Sequence, residues 1–493
     1  MFHVKRFSVN TKLFHVKQGE NMKKLTVFLL IAVVLALSAC ENVEYPNESI
    51  VPPDVSIPTV YEELEQELPD VKEYEGQVFT VVTNNTSLFY SSETESGVIS
   101  AAVRKRNDFI AEKYGVTVTA VELNEDTLRD NLENAKQSGL AYCDMLSLPA
   151  ELTVSLMMDG LLYDIGSLEG FDPTEKYYSG IATSLATGNK LYMLPDPVAI
   201  EYGGVKAMFF NRELVAKYCS ESPESLANQG KWTWDTMLEM SRMVASKVNS
   251  STSSDINLDN FGYGSGITDE ALVLTMWVSA NKPILGDTYK VPVTFVLGTS
   301  AGSDLCKELR DIYNVRVRYP ISEISAAQAF SDGRLGFLVE DLSFIAAIRD
   351  GSAKGSEFGI LPIPKLDSAQ NGYSCYADGK TGVLSVPSVI SDPGKVSTIM
   401  KAVTALGSET AKSAYASEFL TRYLINNTET VMLSLILDSV KFDLSLLLAN
   451  ENASAKTVSY SAITAGIING TPYWSTASGR VDNFEKFLSE NFG

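Results

Sequence analysis

Between residues 77 and 148 the chain alternates β-rich and helix-periodic segments, and no other feature constrains its fold as much. Residues 77–83 (QVFTVVT) form an alternating, β-branched run that ends in the polar pair Asn84 and Asn85, as a strand entering a loop does. Over 98–114 the apolar residues Ile99, Ala102, Val103, Phe109 and Ile110 recur at helical spacing until Gly115 stops the pattern. A second strand is read at 116–121, a second amphipathic helix at 127–137 closed by Ser138 and Gly139, and a third strand at 144–148. Strands and helices alternating at this length predict an α/β lobe with a largely parallel sheet.

The segment ahead of this region decides where the chain works. Lys23 and Lys24 precede an apolar run from Leu25 to Leu37 that closes on Leu37-Ser38-Ala39-Cys40. The run is shorter than the ~20 apolar residues a spanning helix needs and ends at small residues, which is the pattern of a cleaved export signal. Its ending resembles a bacterial lipobox, which implies a lipid on Cys40 and an anchored protein on the outer face of the cell membrane. Residues 22–40 are therefore read as a lipoprotein signal peptide. Residues 1–21 repeat Phe-His-Val-Lys at Phe2 and Phe14 and are read as an upstream segment outside the protein proper, with Met22 as the start. His3 and His15 are the two histidines of the chain, so nothing after Met22 offers a histidine base or a histidine metal ligand. No cofactor and no metal are expected.

About 450 residues follow Cys40, more than one compact core holds and enough for two lobes. Six of the 40 basic residues and one of the 61 acidic ones precede Cys40, which leaves 34 against 60 and a net charge of −26. That charge argues against nucleic acid or anionic lipid as partners. Residues 41–75 hold eleven acids, one lysine and five prolines and are read as an extended, self-repelling tether. Cys143, Cys219, Cys306 and Cys375 stand too far apart for a CxxC motif and read as small buried apolar residues.

Several weak motifs then appear in a fixed order. They are Glu112-Lys113-Tyr114-Gly115-Val116, Tyr142-Cys143-Asp144, Asp159-Gly160-Leu161-Leu162, Gly188-Asn189-Lys190-Leu191-Tyr192, Phe210-Asn211-Arg212-Glu213-Leu214, Lys231-Trp232-Thr233-Trp234-Asp235, Phe330-Ser331-Asp332-Gly333 and Phe358-Gly359-Ile360-Leu361-Pro362. Together they resemble the extracellular solute-binding proteins of ATP-driven sugar importers, the family of maltose-binding protein, in a divergent branch found in fermentative Gram-positive bacteria. The resemblance implies a two-lobed α/β fold of the periplasmic-binding-protein type II, with a hinge and an interlobe cleft. It places lobe 1 at 76–201 plus 383–423 and lobe 2 at 202–381 plus 424–493. It also implies a monomer that captures a small polar solute, a sugar or oligosaccharide, and delivers it to the membrane subunits of an ABC permease. Where maltose-binding relatives carry a tryptophan-rich loop, this chain has Val339-Glu340-Asp341-Leu342-Ser343-Phe344, which argues against a maltodextrin ligand.

In open α/β sheets ligands lie beyond the carboxyl ends of the strands. That rule selects Asn84, Asn85, Ser147, Glu201, Tyr202, Asp269, Glu270, Glu340, Asp341, Phe344 and Tyr373, with Trp232 beside them. The spacing from Asp144 to Gly160 matches the corresponding loop of maltose-binding protein, so the resemblance places Glu151 on a ligand-contacting acid. Trp234 is read as a packing residue, as are long apolar helices at 395–406 and 429–448. Two rival readings use the same features: a binding protein that reports to a sensor kinase, and a glycosidase using two carboxylates, although no nucleophile elbow, P-loop, metal cluster or dinucleotide fingerprint is present.

Overall fold

The first strand, β1 (Val78–Thr83), buries Phe79 and Val81 on one face and Val82 on the other. Such a strand belongs inside a sheet covered on both sides. In the computed structural model, which describes residues 67–70, 74–175, 178, 182–196, 198, 204–248, 260–320, 324–348, 357–407, 414 and 427–492, that is its place. It pairs in parallel with β2 (Thr117–Glu122) and with β3 (Met145–Pro149), Val81 lying opposite Ala120 and Met145. β4 (Met193–Pro195) and β10 (Gly382–Ser385) complete the sheet in the order β2-β1-β3-β10-β4, and β10 runs antiparallel to both of its neighbours.

Helices Val98–Tyr114 and Pro393–Leu406 cover one face, packing Val103, Ile110, Ile399 and Val403 with Phe79 and Val81. Helices Glu125–Ser138 and Ala150–Met158 bring Leu128, Leu132 and Val154 to the other face, against Val82 and Leu146. Each such side chain contributes ~1.5–3 kcal/mol when fully buried. A buried ion pair fastens the late helix to the early strands: Lys395 Nζ lies 2.9 Å from Asp144 Oδ1 and donates to the Val78 carbonyl at 2.9 Å.

A second sheet has four strands, in the order Phe261–Ser265, Leu335–Asp341, Lys206–Asn211 and Phe358–Leu361. Every residue of β5 (Lys206–Asn211) is buried, and it runs antiparallel to β7 (Leu335–Asp341) and β8 (Phe358–Leu361), while β6 (Phe261–Ser265) is parallel to β7. Helix Trp234–Val248 packs on β6, entered through Thr233, whose Oγ1 accepts from Thr236 N at 3.2 Å. A short pair, β9 (Cys375–Tyr376) and β11 (Val440–Lys441), lies apart from both sheets.

Two expectations need correction. Residues 429–448 do not make one helix: Asn427–Leu437 ends, β11 follows, and Asp443 restarts a short helix at Leu444 by accepting from Ser445 N at 2.9 Å. The end of the expected tether is also folded onto the first core. Leu68 and Tyr74 are buried there, and Tyr114 donates its hydroxyl to Pro69 O at 2.8 Å, because these apolar side chains gain more from burial than the acidic flank loses. The remainder of the tether, the signal segment with Cys40, and residues 1–21 lie outside the described residues. Cys143, Cys306 and Cys375 are buried thiols, and burial pushes those of Cys306 and Cys375 up to about 12. Cys219 is half-buried beside Met240 O.

Candidate functional site

The two sheets meet where their connections cross. The chain leaves sheet one at β4 and enters sheet two at β5, then returns from β9 to β10. The crossings touch each other: Val205 bridges Ala377, and Asp378 N donates to Gly204 O at 3.1 Å. A side chain at position 204 would run into Thr381 Oγ1 and Asp378, so glycine is what permits the approach. The ends of β1, β3 and β4 in one sheet, and of β5, β6 and β7 in the other, converge on this hinge.

Lys206, the first residue of β5, is buried and donates to Asp341 at 2.5 Å and to Asp378 at 2.7 Å. Burial opposes its charge, but Asp378 and Asp341 outweigh burial and its pKa is raised. Asp341, across the pair, is also raised, because its own burial exceeds what Lys206 returns to it. Both directions describe one cluster in which two carboxylates share one ammonium. On the opposite face of β7, burial pushes Glu340 up to about 7, with one oxygen taking the amide of Asp341 at 3.0 Å. Its other oxygen occupies the space a side chain at Gly266 would fill. Near neutral pH this carboxyl is both a donor and an acceptor.

Sheet one supplies a different set. Ser147 is buried and donates to Asp196 Oδ2 at 2.7 Å, so it braces the start of the first crossing. Asn84 is exposed and Asn85 half-exposed on the loop after β1, where Asn85 Oδ1 accepts from Ser87. Arg106, fully buried, holds that loop by donating to the carbonyls of Leu88 and Phe89 at 3.0 and 2.8 Å. Glu151 stands exposed in the first turn of helix Ala150–Met158, its amide donating to Gly379 O at 2.9 Å and its side chain lying over that glycine. The second crossing thus satisfies the open end of this helix.

Not every sequence-selected residue reaches this region. Trp232 is fully buried, with its indole donating to Pro362 O at 3.1 Å and its ring against Phe337, so it has no face for a ligand; the apolar pocket under β5 outcompetes solvent for it. Tyr373 staples a loop, donating to Ala227 O at 2.8 Å while Lys365 covers its ring. Asp269 lies in the first turn of helix Asp269–Ser279 and not ahead of it. Its carboxylate is taken by Tyr313 Oη at 2.8 Å and by Arg318. Trp234 packs as read, its indole donating to Ser279 Oγ at 3.0 Å. Glu201 and Tyr202 lie outside the described residues.

Of the remaining sequence-selected residues, Asn84 and Asn85 follow β1 and Glu151 opens the helix after β3, while Glu340 and Asp341 end β7, Phe344 opens the short helix after it and Glu270 lies in the first turn of helix Asp269–Ser279. Phe344 is half-buried, edge-on to Phe209 with centroids 5.5 Å apart. Sequence reasoning missed Lys206, Asp196, Asp378 and Tyr460. A lysine opening the all-apolar run Ala207–Phe210 was a signal, since such a cation needs a buried partner. Tyr460 gave none: it is a half-exposed ring whose hydroxyl is raised by burial and by nearby Glu270. Among the described residues no cluster of His, Cys, Asp and Glu could hold a metal, and no helix is long and apolar enough to cross a membrane.

Solved structures share the fold. A cyclo/maltodextrin-binding protein complexed with maltotetraose is 14% identical, with a TM-score of 0.53 over 84% of this chain and 97% of that one. The cyclic alpha-maltosyl-1,6-maltose binding protein from Arthrobacter globiformis is 14% identical, with a TM-score of 0.54 over 84% and 99%. A sugar transporter from Rhizobium etli in an open conformation is 12% identical, with a TM-score of 0.55 over 84% and 98%. The fold is therefore the two-lobed α/β fold of binding proteins, with a hinge and a cleft. Residues 106–431, more than half of the chain, match the bacterial extracellular solute-binding protein family, and the chain belongs to that family. No curated protein matches it in sequence.

Proposed function

We propose that the protein captures a small, neutral, hydroxyl-rich solute, a sugar or oligosaccharide, between its lobes and delivers it to the membrane subunits of an ABC importer. The observation that supports this reading is at the hinge: Glu151 lies over Gly379 of the returning crossing, and Lys206 ties Asp378 of that crossing to Asp341 at the end of β7, next to Glu340 and ahead of Phe344. Carboxylates accept from sugar hydroxyls, a half-protonated Glu340 also donates, and aromatic faces suit the apolar faces of sugar rings. The ligands named for the structural relatives, maltotetraose and cyclic alpha-maltosyl-1,6-maltose, are of this class.

The strand membership of the two sheets supports lobe boundaries at 76–201 plus 383–423 and 202–381 plus 424–493, since β10 joins the first sheet after the second is built. The protein is further proposed to be a monomer held at the outer face of the membrane by a lipid on Cys40.

A thermal-shift screen of the secreted chain against mono- and oligosaccharides, polyols, amino acids and peptides tests the ligand class. Because Leu68 and Tyr74 belong to the core, the protein screened should begin before Leu68. A true ligand at 100 times its Kd adds ~2.7 kcal/mol to stability. Stabilisation by peptides or amino acids and by no saccharide would overturn the reading.

A further inference from the structure

The two lobes touch a second time, away from the hinge. On the side of sheet one, residues 187–190 make a tight turn ahead of β4, with Thr187 N donating to Lys190 O at 2.9 Å. On the side of sheet two, the connection from helix Asp269–Ser279 to helix Thr299–Tyr313 folds back as a hairpin, where Leu285 bridges Phe295, and Gly286 N and Val296 N donate to Thr294 O and Ile284 O, each at 2.9 Å. Both helices lie in the chain between β6 and β7, neighbours in sheet two, so the hairpin travels with that sheet.

Turn and hairpin meet closely. Thr288, buried on the hairpin, donates to Ser184 O at 3.3 Å. Gly188 is buried with φ 70°, and a side-chain carbon there would stand 2.4 Å from Phe492 O, at the end of helix Val481–Phe492, and 3.4 Å from Val291. The turn thus needs glycine twice, for its left-handed backbone and for this approach. β4 separates the contact from the hinge, since the turn leads into its first residue and the crossing leaves from its last. A cavity of about 250 Å³ between the lobes lies against the contact, and both Ser184 and Thr288 line it. Parting them opens that side of the cavity. Around the contact Asn189, Lys190, Tyr289 and Lys290 are exposed, so little apolar surface resists parting.

We propose that the 187–190 turn and the 284–296 hairpin form a clasp that holds the lobes shut in the absence of solute, so that the resting protein is mainly closed and a solute enters or leaves on this side by parting the clasp. The proposal rests on the two-lobed fold and not on the ligand class.

The test is a distance measurement between spin labels on the solute-free secreted protein, begun after Cys40, carrying Cys219→Ser, Leu140→Cys and Lys217→Cys. Leu140 precedes β3 and Lys217 follows β5, and both positions are exposed and lie beyond the strand end farther from the hinge, so opening changes their separation. One dominant distance, that of the closed arrangement, is expected. Thr288→Val combined with Val291→Ser removes the hydrogen bond and the apolar contact and should lower the closed-to-open ratio about tenfold. Gly188→Val, which wedges the turn away from Phe492, should do the same and keeps the test open if the first variant folds poorly. A solute-free protein that is already open, or a distribution unchanged in either folded variant, overturns the proposal. No sugar is present, so failure here is distinct from failure of the ligand class proposed for the cleft.

Discussion

Lys206 reaches Asp378 at 2.7 Å, and this contact joins the strand that enters sheet two to the segment that returns to sheet one. The Lys206 side chain is 3% exposed and its ammonium also serves Asp341, so one buried cation sits where the lobes must pivot. Lys206→Met leaves two carboxylates facing each other without a counterion. It should cost ~3–5 kcal/mol in denaturant unfolding. Because the folded pKa of Lys206 is raised, its contribution is full at neutral pH and is lost only as pH climbs past the ordinary lysine range. An unchanged unfolding midpoint at pH 7 would show that the cluster does not hold the hinge.

Glu340 gives a pH signature of the same sense in a lower pH window. Its carboxyl is raised to about 7 by burial, so the folded state keeps a proton that the unfolded chain has lost above its ordinary carboxyl pKa of ~4.3. Stability contributed through this group is therefore greatest in acid, falls as pH rises through that interval, and is level above about 7. Glu340→Gln should remove up to roughly 3 kcal/mol of that decline. Parallel melting curves of the two proteins from pH 4 to 8 would refute this.

The pair formed by Asp144 and Lys395 links β3's leading end to helix Pro393–Leu406, with Thr80 N donating to the second carboxylate oxygen at 2.9 Å. Lys395→Met strands a buried carboxylate and should destabilise by ~3–5 kcal/mol. Pairing it with Asp144→Asn should recover part of the loss, which a double-mutant cycle measures; strict additivity would mean that the pair is uncoupled.

Glu151 is exposed, so its effect should be on binding and not on folding. Losing a charged hydrogen bond costs ~1.5–3 kcal/mol, and Glu151→Gln should weaken a saccharide found in the screen about tenfold or more at an unchanged unliganded Tm. Equal affinities would remove Glu151 from the site.

Anchoring is tested at Cys40. With Cys40→Ala the protein should appear in the medium or accumulate with its signal uncleaved, as read by cell fractionation. Normal processing and membrane retention would exclude the lipid.

Much of the fold was legible because its signals are local. The alternation over 77–148 and Gly115 at the end of a helix each act over a few residues, and the structure shows strands, helices and a helix end there. The break at 438–443 was hidden because Leu435, Leu437, Leu444 and Leu446 keep a helical apolar rhythm across it, while the pairing of β11 with β9 is a distant event.

The site was legible only in part, for the same reason. The polar ends of strands, the acidic tether and the order of family motifs are properties of short windows, and the sequence by itself determined the α/β class and the family from them. Which acids stay available at the cleft was decided by partners far along the chain. Asp269 is claimed by Arg318, 49 residues away, and Lys206 by Asp378, 172 residues away. Trp232 is withdrawn into the core by Pro362 and Phe337. A charge or an aromatic ring costs least where its counterion or its pocket lies, and tertiary packing alone brings those to it.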